Sequence, residues 1–340
     1  MPEELLTFQL IFWISLGISN KSENRIDFPP AVMYNINVYG KTHRNDIIYV
    51  YILIYRGEKT MGRSDGRKIK TAGLEYAVAA HIMARRTDAL NMITLNIPVE
   101  PMRRYMNQKR KEGKRYSHLS LFLAAIVQTI AEYPALNRFV VNKRIYARNE
   151  IAIGMVVLKG GKIDGVSTTD KMRFPKNATL DDVNDIIGAY IEKNRDENDV
   201  NGTDKAAGFL VSAPGLLRSA VSVAKWADKH NILPKAVIEL SPFHATMMFT
   251  NLASIKTGHI YHHIYDFGTT SLTLSVGKMH DVPVTKKGEM TYERCIPMGL
   301  VMDERIASGS YFAIAFQRFQ KLLECPELLE TPANVKEDIP

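Results

Sequence analysis

Between residues 91 and 99 polar and apolar side chains alternate, with Met92, Thr94 and Asn96 set against Ile93, Leu95 and Ile97. That period of two predicts a strand whose faces meet different surroundings. A short helix is expected before it, over residues 76–86, and a basic helix and a turn at Gly113 after it. Ser117 then predicts an N-cap, because its hydroxyl can accept an amide left unpaired at a helix start. Leu119, Phe122, Leu123, Ile126, Val127 and Ile130 recur at three- and four-residue spacing, which predicts one apolar helix face, and Pro134 stops that helix. Residues 144–147 and 151–158 read as strands, the second with enough β-branched residues for a sheet interior.

Residues 159–177 are polar and contain glycine, which predicts loops and an edge hairpin. Leu180, Val183, Ile186, Ile187, Tyr190 and Ile191 mark another amphipathic helix, and residues 192–205 are charged. Residues 216–226 predict an apolar helix that packs on the core by default, with a docking or membrane-surface face as the alternative. Three strands are expected near Val237, Met248 and Leu274, the last being the longest. Phe312, Ala315, Phe316, Phe319, Leu322 and Leu323 define a closing helix. Strands mixed with amphipathic helices predict an α/β layered domain.

At 340 residues the chain can bury a substantial core, and 46% hydrophobic with 24% charged residues describes an ordinary globular protein. The net charge of +8 is partly local, in Arg103, Arg104, Lys109, Arg110, Lys111, Lys114 and Arg115. A solvated helix face is the plain reading of that cluster. An electropositive rim that attracts a phosphorylated carrier is the functional one. Nucleic-acid binding is not expected, since no recognition motif or aromatic platform accompanies the charges. Cys295 and Cys325 form no CxxC pair, so a metal site is not expected, and scarce cysteine suits a reducing cytoplasm. No phosphate-binding GxxxxGK[ST] loop and no GxGxxG turn is present, which disfavours nucleotide hydrolysis and dinucleotide redox chemistry.

The apolar run from Leu5 to Ile18 is shorter than the roughly 20 residues that span a bilayer, and Glu3 and Glu4 precede it where a signal peptide carries positive charge. Residues 46–55 read as an isolated strand. The expected organisation is an extension over residues 1–60 from an over-early start codon, a domain over 61–331 and a tail over 332–340. Membrane anchoring through the extension is the less favoured alternative.

The segment from Val301 to Gly309, V-M-D-E-R-I-A-S-G, resembles the C-terminal HxxxDG signature of the chloramphenicol acetyltransferase and dihydrolipoyl acyltransferase superfamily, usually found as D-H-R-x-x-D-G. Asp303, Arg305 and Gly309 stand where that family has them, Glu304 replaces its catalytic histidine, and Ser308 replaces its aspartate. Tyr133-Pro134-Ala135-Leu136-Asn137-Arg138-Phe139 resembles the family's P-x-L-N segment, Phe249-Thr250-Asn251-Leu252-Ala253 its F-T-I-S-N-L-G, and the stretch from Ser271 to Lys278 its A-I-L-G-V-G strand. The likeness covers residues 61–331 in the family's chain order. A narrower likeness, to small bacterial acyltransferase-like proteins, rests on Tyr261-His262-His263-Ile264-Tyr265, Phe267-Gly268-Thr269-Thr270 and the D-E-R form of the signature.

The resemblance implies a coenzyme A-dependent acyltransferase fold, a mixed sheet flanked by amphipathic helices, and acyl transfer from a small thioester to an acceptor. Coenzyme A or acyl-CoA would be co-substrate, with no metal, in a homotrimer whose signature loop faces a neighbouring subunit. Residues 1–60 carry neither a lipoyl-like lysine hairpin nor a long Ala/Pro linker. The acceptor is therefore expected to be a free molecule or an acyl carrier on another chain. Glu304 takes the base position, although an ordinary glutamate near 4.3 is a weak base towards a thiol near 8.5. Thr250 matches the oxyanion-binding hydroxyl, and its plain reading is a strand threonine. His262, His263 and His244 are the alternative bases. Neighbouring residues on a strand point to opposite faces, so only one of His262 and His263 is expected in a shared pocket. Asn137, Arg138 and Arg305 are the coenzyme-binding candidates, or else structural. Two altered signature positions favour changed or absent catalysis, and a non-catalytic acyl-CoA-binding scaffold is the alternative.

Overall fold

The structure, a computed structural model, describes residues 63–158, 167–195, 208, 211–212, 215–286 and 288–340. The expected extension over residues 1–60 lies outside the described residues. In chain order the strands are β1 (Gly66–Lys68), β2 (Leu90–Pro98), β3 (Arg138–Val141), β4 (Arg144–Arg148), β5 (Ile151–Leu158), β6 (Ser167–Phe174), β7 (Met247–Asn251), β8 (Leu272–Val276), β9 (His280–Lys286) and β10 (Glu289–Asp303). The helices are α1 (Leu74–Ile82), α2 (Val99–Lys111), α3 (His118–Glu132), α4 (Leu180–Arg195), α5 (Leu216–Lys229), α6 (Lys235–Leu240) and α7 (Gly309–Glu324).

The chain divides into two units, one of residues 1–61 and 209–224, the other of residues 62–208 and 225–340. Of the first, the described part includes the opening turns of α5, where Leu217 and Val223 are exposed rather than packed on a core. In the larger unit, α5 ends by burying Ala227 and Asp228. Both sheets and every candidate site residue belong to this larger unit.

Its main sheet runs β2-β10-β8-β7-β5-β6, with β9 also paired to β10. The β5–β7 and β7–β8 pairs are parallel and the others antiparallel, so the sheet is mixed. A smaller sheet runs β1-β4-β3. The alternation in β2 separates the faces as its sequence predicts. Ile93, Leu95 and Ile97 join the core, while the Thr94 hydroxyl lies 2.9 Å from His259 Nε2 and 2.6 Å from the Tyr261 hydroxyl.

Helix α3 starts as expected, with Ser117 Oγ accepting the Ser120 amide at 3.0 Å. Its burial is not one-sided, however: every residue from Ser120 to Ala131 is buried, because α3 packs against both α4 and α7. The polar members of that run are satisfied in place. Gln128 Nε2 donates to the Thr331 carbonyl at 2.8 Å, Thr129 Oγ1 to the Ala125 carbonyl at 2.7 Å, and Ser120 Oγ to Asn184 Oδ1 at 2.8 Å. Two strand expectations are corrected. Residues around Val237 form helix α6, because amides of Val237 and Ile238 turn back to the Pro234 carbonyl. The strand at Leu274 is no longer than that at Met248, five residues each, and the longest described strand is β10. Its first half leaves the sheet with β9 as a hairpin, on which Met290 and Tyr292 are exposed.

The sheet face opposite the helices is made of small residues. Thr273, Ser275, Gly277 and Gly299 lie under the extended segment 257–264. Ser275 Oγ accepts the Ile260 amide at 3.1 Å and also contacts the Ile260 carbonyl; Thr273 Oγ1 donates to the His262 carbonyl at 2.7 Å. A Cβ on Gly299 would run into the Ile260 carbonyl. At Gly268 the backbone is left-handed, φ +87°, and the turn feeds the Thr269 and Thr270 amides to the Phe243 carbonyl.

A second buried feature joins distant segments by charge. Arg63 Nε lies 2.8 Å from Asp65 Oδ1, and Arg63 Nη2 lies 2.7 Å from Asp228 Oδ1. Arg148 Nη1 stands 3.8 Å from Asp65, and His244 Nε2 faces Asp228 Oδ1 at 3.4 Å. Burial works against the charge on each group. For Asp65 and Asp228 the neighbouring cations outweigh it and hold both below the usual carboxylate range. For His244 burial wins over Asp228 and holds the imidazole below its ordinary range.

Packing and charge each lead to a measurable outcome. Gly299→Val is expected to cost about 1–3 kcal/mol by urea unfolding, as overpacking does. Gly188→Ala, at an open position of α4, is expected to be neutral or stabilising by about 0.5–1 kcal/mol. The charge outcome concerns His244. The unfolded chain takes up this proton near pH 6.5 and the folded chain only at lower pH. Unfolded protein therefore binds more protons below about pH 6.5, and stability falls as pH is lowered through that window. Urea midpoints at pH 7.5 and 5.5 should show that loss, and His244→Gln should flatten it. His118 and Lys171, also lowered by burial, contribute to what slope remains.

Candidate functional site

The D-E-R signature caps the C-terminal end of β10. Asp303 is fully buried, and Arg305 grips its carboxylate with Nε at 2.8 Å and Nη2 at 2.7 Å, while the Arg305 amide donates at 3.1 Å. Arg86 approaches the same carboxylate at 3.9 Å. Its other donors go to carbonyls of Tyr265, Asp266 and Val140 at 3.3, 3.0 and 3.1 Å. Burial pushes the Arg86 guanidinium below its ordinary range, with Asp303 opposing. Arg305 Nη1 reaches the Met83 carbonyl at 3.1 Å. The turn is thereby fixed from several segments at once, and Glu304 projects from it into solvent. Only the Glu304 amide is held, by the Ala89 carbonyl at 2.8 Å.

Ser308, which stands in the aspartate position of the signature, caps α7: its Oγ accepts the Tyr311 amide at 3.3 Å. That local use follows from its place directly before a helix, where a short hydroxyl side chain satisfies a free amide. Of the coenzyme candidates, Arg305 is committed to Asp303. Arg138 is buried and bidentate to Asp338, at 2.7 and 2.5 Å, with Nη1 donating to the Ile306 carbonyl at 3.2 Å. Asn137 donates to the Glu150 carbonyl at 3.0 Å and accepts the Thr246 hydroxyl at 2.7 Å. These engagements hold the fold together, and the three side chains do not converge on a recess as a coenzyme-binding set.

Thr250 sits half-buried on β7, paired with Ser275 of β8, which pairs in turn with Gly299 of β10. Asp303 lies four residues beyond Gly299, about 13 Å along the strand, and Glu304 follows it. A general base works within hydrogen-bond reach of its proton, or through one water. Within one chain, therefore, Glu304 and Thr250 do not act on the same atoms.

His262 and His263 are not on a strand, and the expectation that they point apart is corrected. In the extended segment their rings stack at 4.9 Å with 21° between planes, and Tyr265 meets His263 edge-on at 4.5 Å. His262 Nδ1 contacts the His263 carbonyl at 2.8 Å. The His262 carbonyl lies at the level of Thr273 and so of Val301, between the Thr250 and Glu304 ends of the sheet. His244 is buried beside Asp228, Ser241 and Phe267, and its neighbour Phe243 packs on Tyr265 of this strip. Sequence reasoning missed the strip as a surface: Ile260, Tyr261 and Tyr265 are exposed, as is Met92 of β2. The run of small residues beneath it, Thr273, Ser275, Gly277 and Gly299, was the signal available in the sequence.

Neither a family model nor a curated protein matches the sequence. Among solved structures, the chain is similar to a probable dihydrolipoamide acetyltransferase from Listeria monocytogenes, at 16% identity over 76% of this chain and 94% of that one, with a TM-score of 0.47. A chloramphenicol acetyltransferase is similar at 12% identity, over 76% and 99%, with a TM-score of 0.46. The cubic core of the pyruvate dehydrogenase multienzyme complex is similar at 15% identity, over 74% and 89%, with a TM-score of 0.45.

Proposed function

We propose that the chain is a coenzyme A-dependent acyltransferase-like protein of the dihydrolipoyl type, assembled as a homotrimer, with catalysis altered or lost at its base position. The observation that carries this reading is the split of the signature residues. Glu304 is exposed at one end of the sheet, and Thr250 stands about 13 Å back along it and two strands across. A site built from both needs the Glu304 end of one subunit against the Thr250 end of another. A cyclic assembly with a heterologous interface brings two such different patches together. The exposed aromatic and histidine strip between them supports a subunit contact on that face. Two cysteines without a partner motif support a cytoplasmic setting, and no helix among the described residues is long and apolar enough to cross a membrane.

In the shared site the base takes the proton of the acceptor thiol or hydroxyl, and the acceptor attacks the thioester carbonyl. Thr250 donates to the resulting oxyanion. The coenzyme thiolate then leaves and takes up the proton. The acceptor is a small molecule or an acyl carrier on another chain. Since Asn137, Arg138 and Arg305 are engaged within the fold, the coenzyme contacts fall to residues at the subunit boundary. The second reading, a non-catalytic acyl-CoA-binding scaffold, is favoured by Ser308 serving as a helix cap.

Sedimentation velocity at micromolar concentration should give a trimer, and a stable monomer would remove the shared site. A thiol-release assay with acetyl-CoA tests the base. Glu304→Gln should lower wild-type turnover about 10²–10⁴-fold. Glu304→His with Ser308→Asp should raise turnover above wild type without loss of fold, because aspartate also caps helices well. Wild-type turnover that survives Glu304→Gln would refute Glu304 and return the role to His262, His263 or His244.

A further inference from the structure

The expected tail over residues 332–340 lies along the domain and is held by its backbone. The Lys336 amide donates to the Ala131 carbonyl at 2.9 Å, and Arg67 donates to the carbonyls of Ile339 and Asp338 at 2.7 and 2.6 Å. Lys70 and Thr71 amides reach the Pro340 carbonyl at 3.2 Å. Beneath this strap is a cavity of about 160 Å³, large enough for several waters. Arg67, Lys176 and Lys336 line it, against Glu337 and Asp338 as the lining carboxylates, over a floor that includes Ile130 and Ile151.

The charges there do not cancel. Glu337 is taken by Lys176 at 3.0 Å and Asp338 by Arg138. Arg67 spends its donors on main-chain carbonyls, and the Lys336 ammonium rests over the Tyr133 ring at 5.5 Å. Among the described residues neither has a carboxylate within ion-pair distance. Arg148 turns its guanidinium to the other face of β4, over the Phe139 ring and onto Thr269, and takes no part in the site. Two cations without a carboxylate partner at the rim of a half-open cleft with an apolar floor describe an anion site.

We propose that this cleft binds a small dianion, a phosphoryl group, clamped between Arg67 and Lys336, and that the strap forms its lid. The site is independent of acyl transfer. It is joined to the signature turn through Arg138, which holds Asp338 of the strap and the Ile306 carbonyl together. Bound anion therefore braces the strap and the turn at once. The phosphoryl group could be free phosphate or the head of a phosphomonoester, whose small organic part would lie on the apolar floor.

Thermal melting and calorimetric titration of the full chain with inorganic phosphate test the site, with sodium chloride at matched ionic strength as reference. Phosphate should raise the melting temperature saturably beyond the chloride effect. Arg67→Gln combined with Lys336→Gln should weaken binding at least tenfold. Asp338→Asn, which removes a competing carboxylate and frees Arg138, should tighten it. Glycerol 3-phosphate binding more tightly than phosphate would assign the site to a phosphomonoester, and equal or weaker binding to the free anion. A shift no larger than that of chloride, or binding unchanged in the Arg67/Lys336 double variant, would overturn the proposal.

Discussion

The carboxylate of Asp303 is fully buried at the end of the longest strand, and much of the site geometry depends on how it is compensated. An isolated buried carboxylate is costly, and removing one partner of such a pair costs about 3–5 kcal/mol. Arg305, two residues on, supplies a bidentate partner, and Arg86 adds a second cation nearby. Both guanidiniums spend their remaining donors on backbone carbonyls, of Met83 for Arg305 and of Val140, Tyr265 and Asp266 for Arg86. One ionic contact therefore sets the positions of the end of α1, of β3 and of the histidine-rich segment. It also decides what Glu304 can do, because a turn clamped on both sides leaves the middle residue facing outwards.

The opposite face of the sheet is set by sterics rather than charge. Gly277 and Gly299 leave no Cβ under segment 257–264, and the hydroxyls of Thr273 and Ser275 bond its backbone. A non-strand segment can lie flat on a sheet only where side chains leave room and its polar groups find partners. The stacked His262 and His263 and the exposed Tyr261 and Tyr265 are thus displayed on a rigid base. Together with the separation of Thr250 from Glu304, this makes the face a boundary between subunits in the proposed function.

Charge is used differently in the body of the domain. The Arg63, Asp65, Arg148, Asp228 and His244 cluster joins segments far apart in the sequence, with Asp228 Oδ1 shared between Arg63 and His244. Such clusters add little net stability against well-packed apolar groups. Their effect is to make misplaced alternatives costly, since any other arrangement strands a buried charge. The strap obeys the same logic, with buried Arg138 meeting its carboxylate in Asp338 near the far end of the chain.

The sequence by itself determined the elements whose cause is local. Period two in β2, the helices α3 and α7, and the Ser117 cap each depend on residues within a few positions of one another, and the structure bears them out as elements, although α3 is buried all round rather than on one face. The D-E-R signature was legible as a motif, and its Asp303–Arg305 pair is also local in origin. The helix at Val237 has a local cause as well, in Pro234 just before it, whose carbonyl takes the first free amides. Tertiary structure alone decided the rest. The length of β10 depends on which strands reach it from elsewhere. Whether Arg138 meets a ligand or Asp338 is a question of which distant surfaces meet. A pattern of neighbours carries no information on that, because an ion pair or a strand register is chosen by three-dimensional proximity and by the cost of leaving the alternatives buried and unpaired.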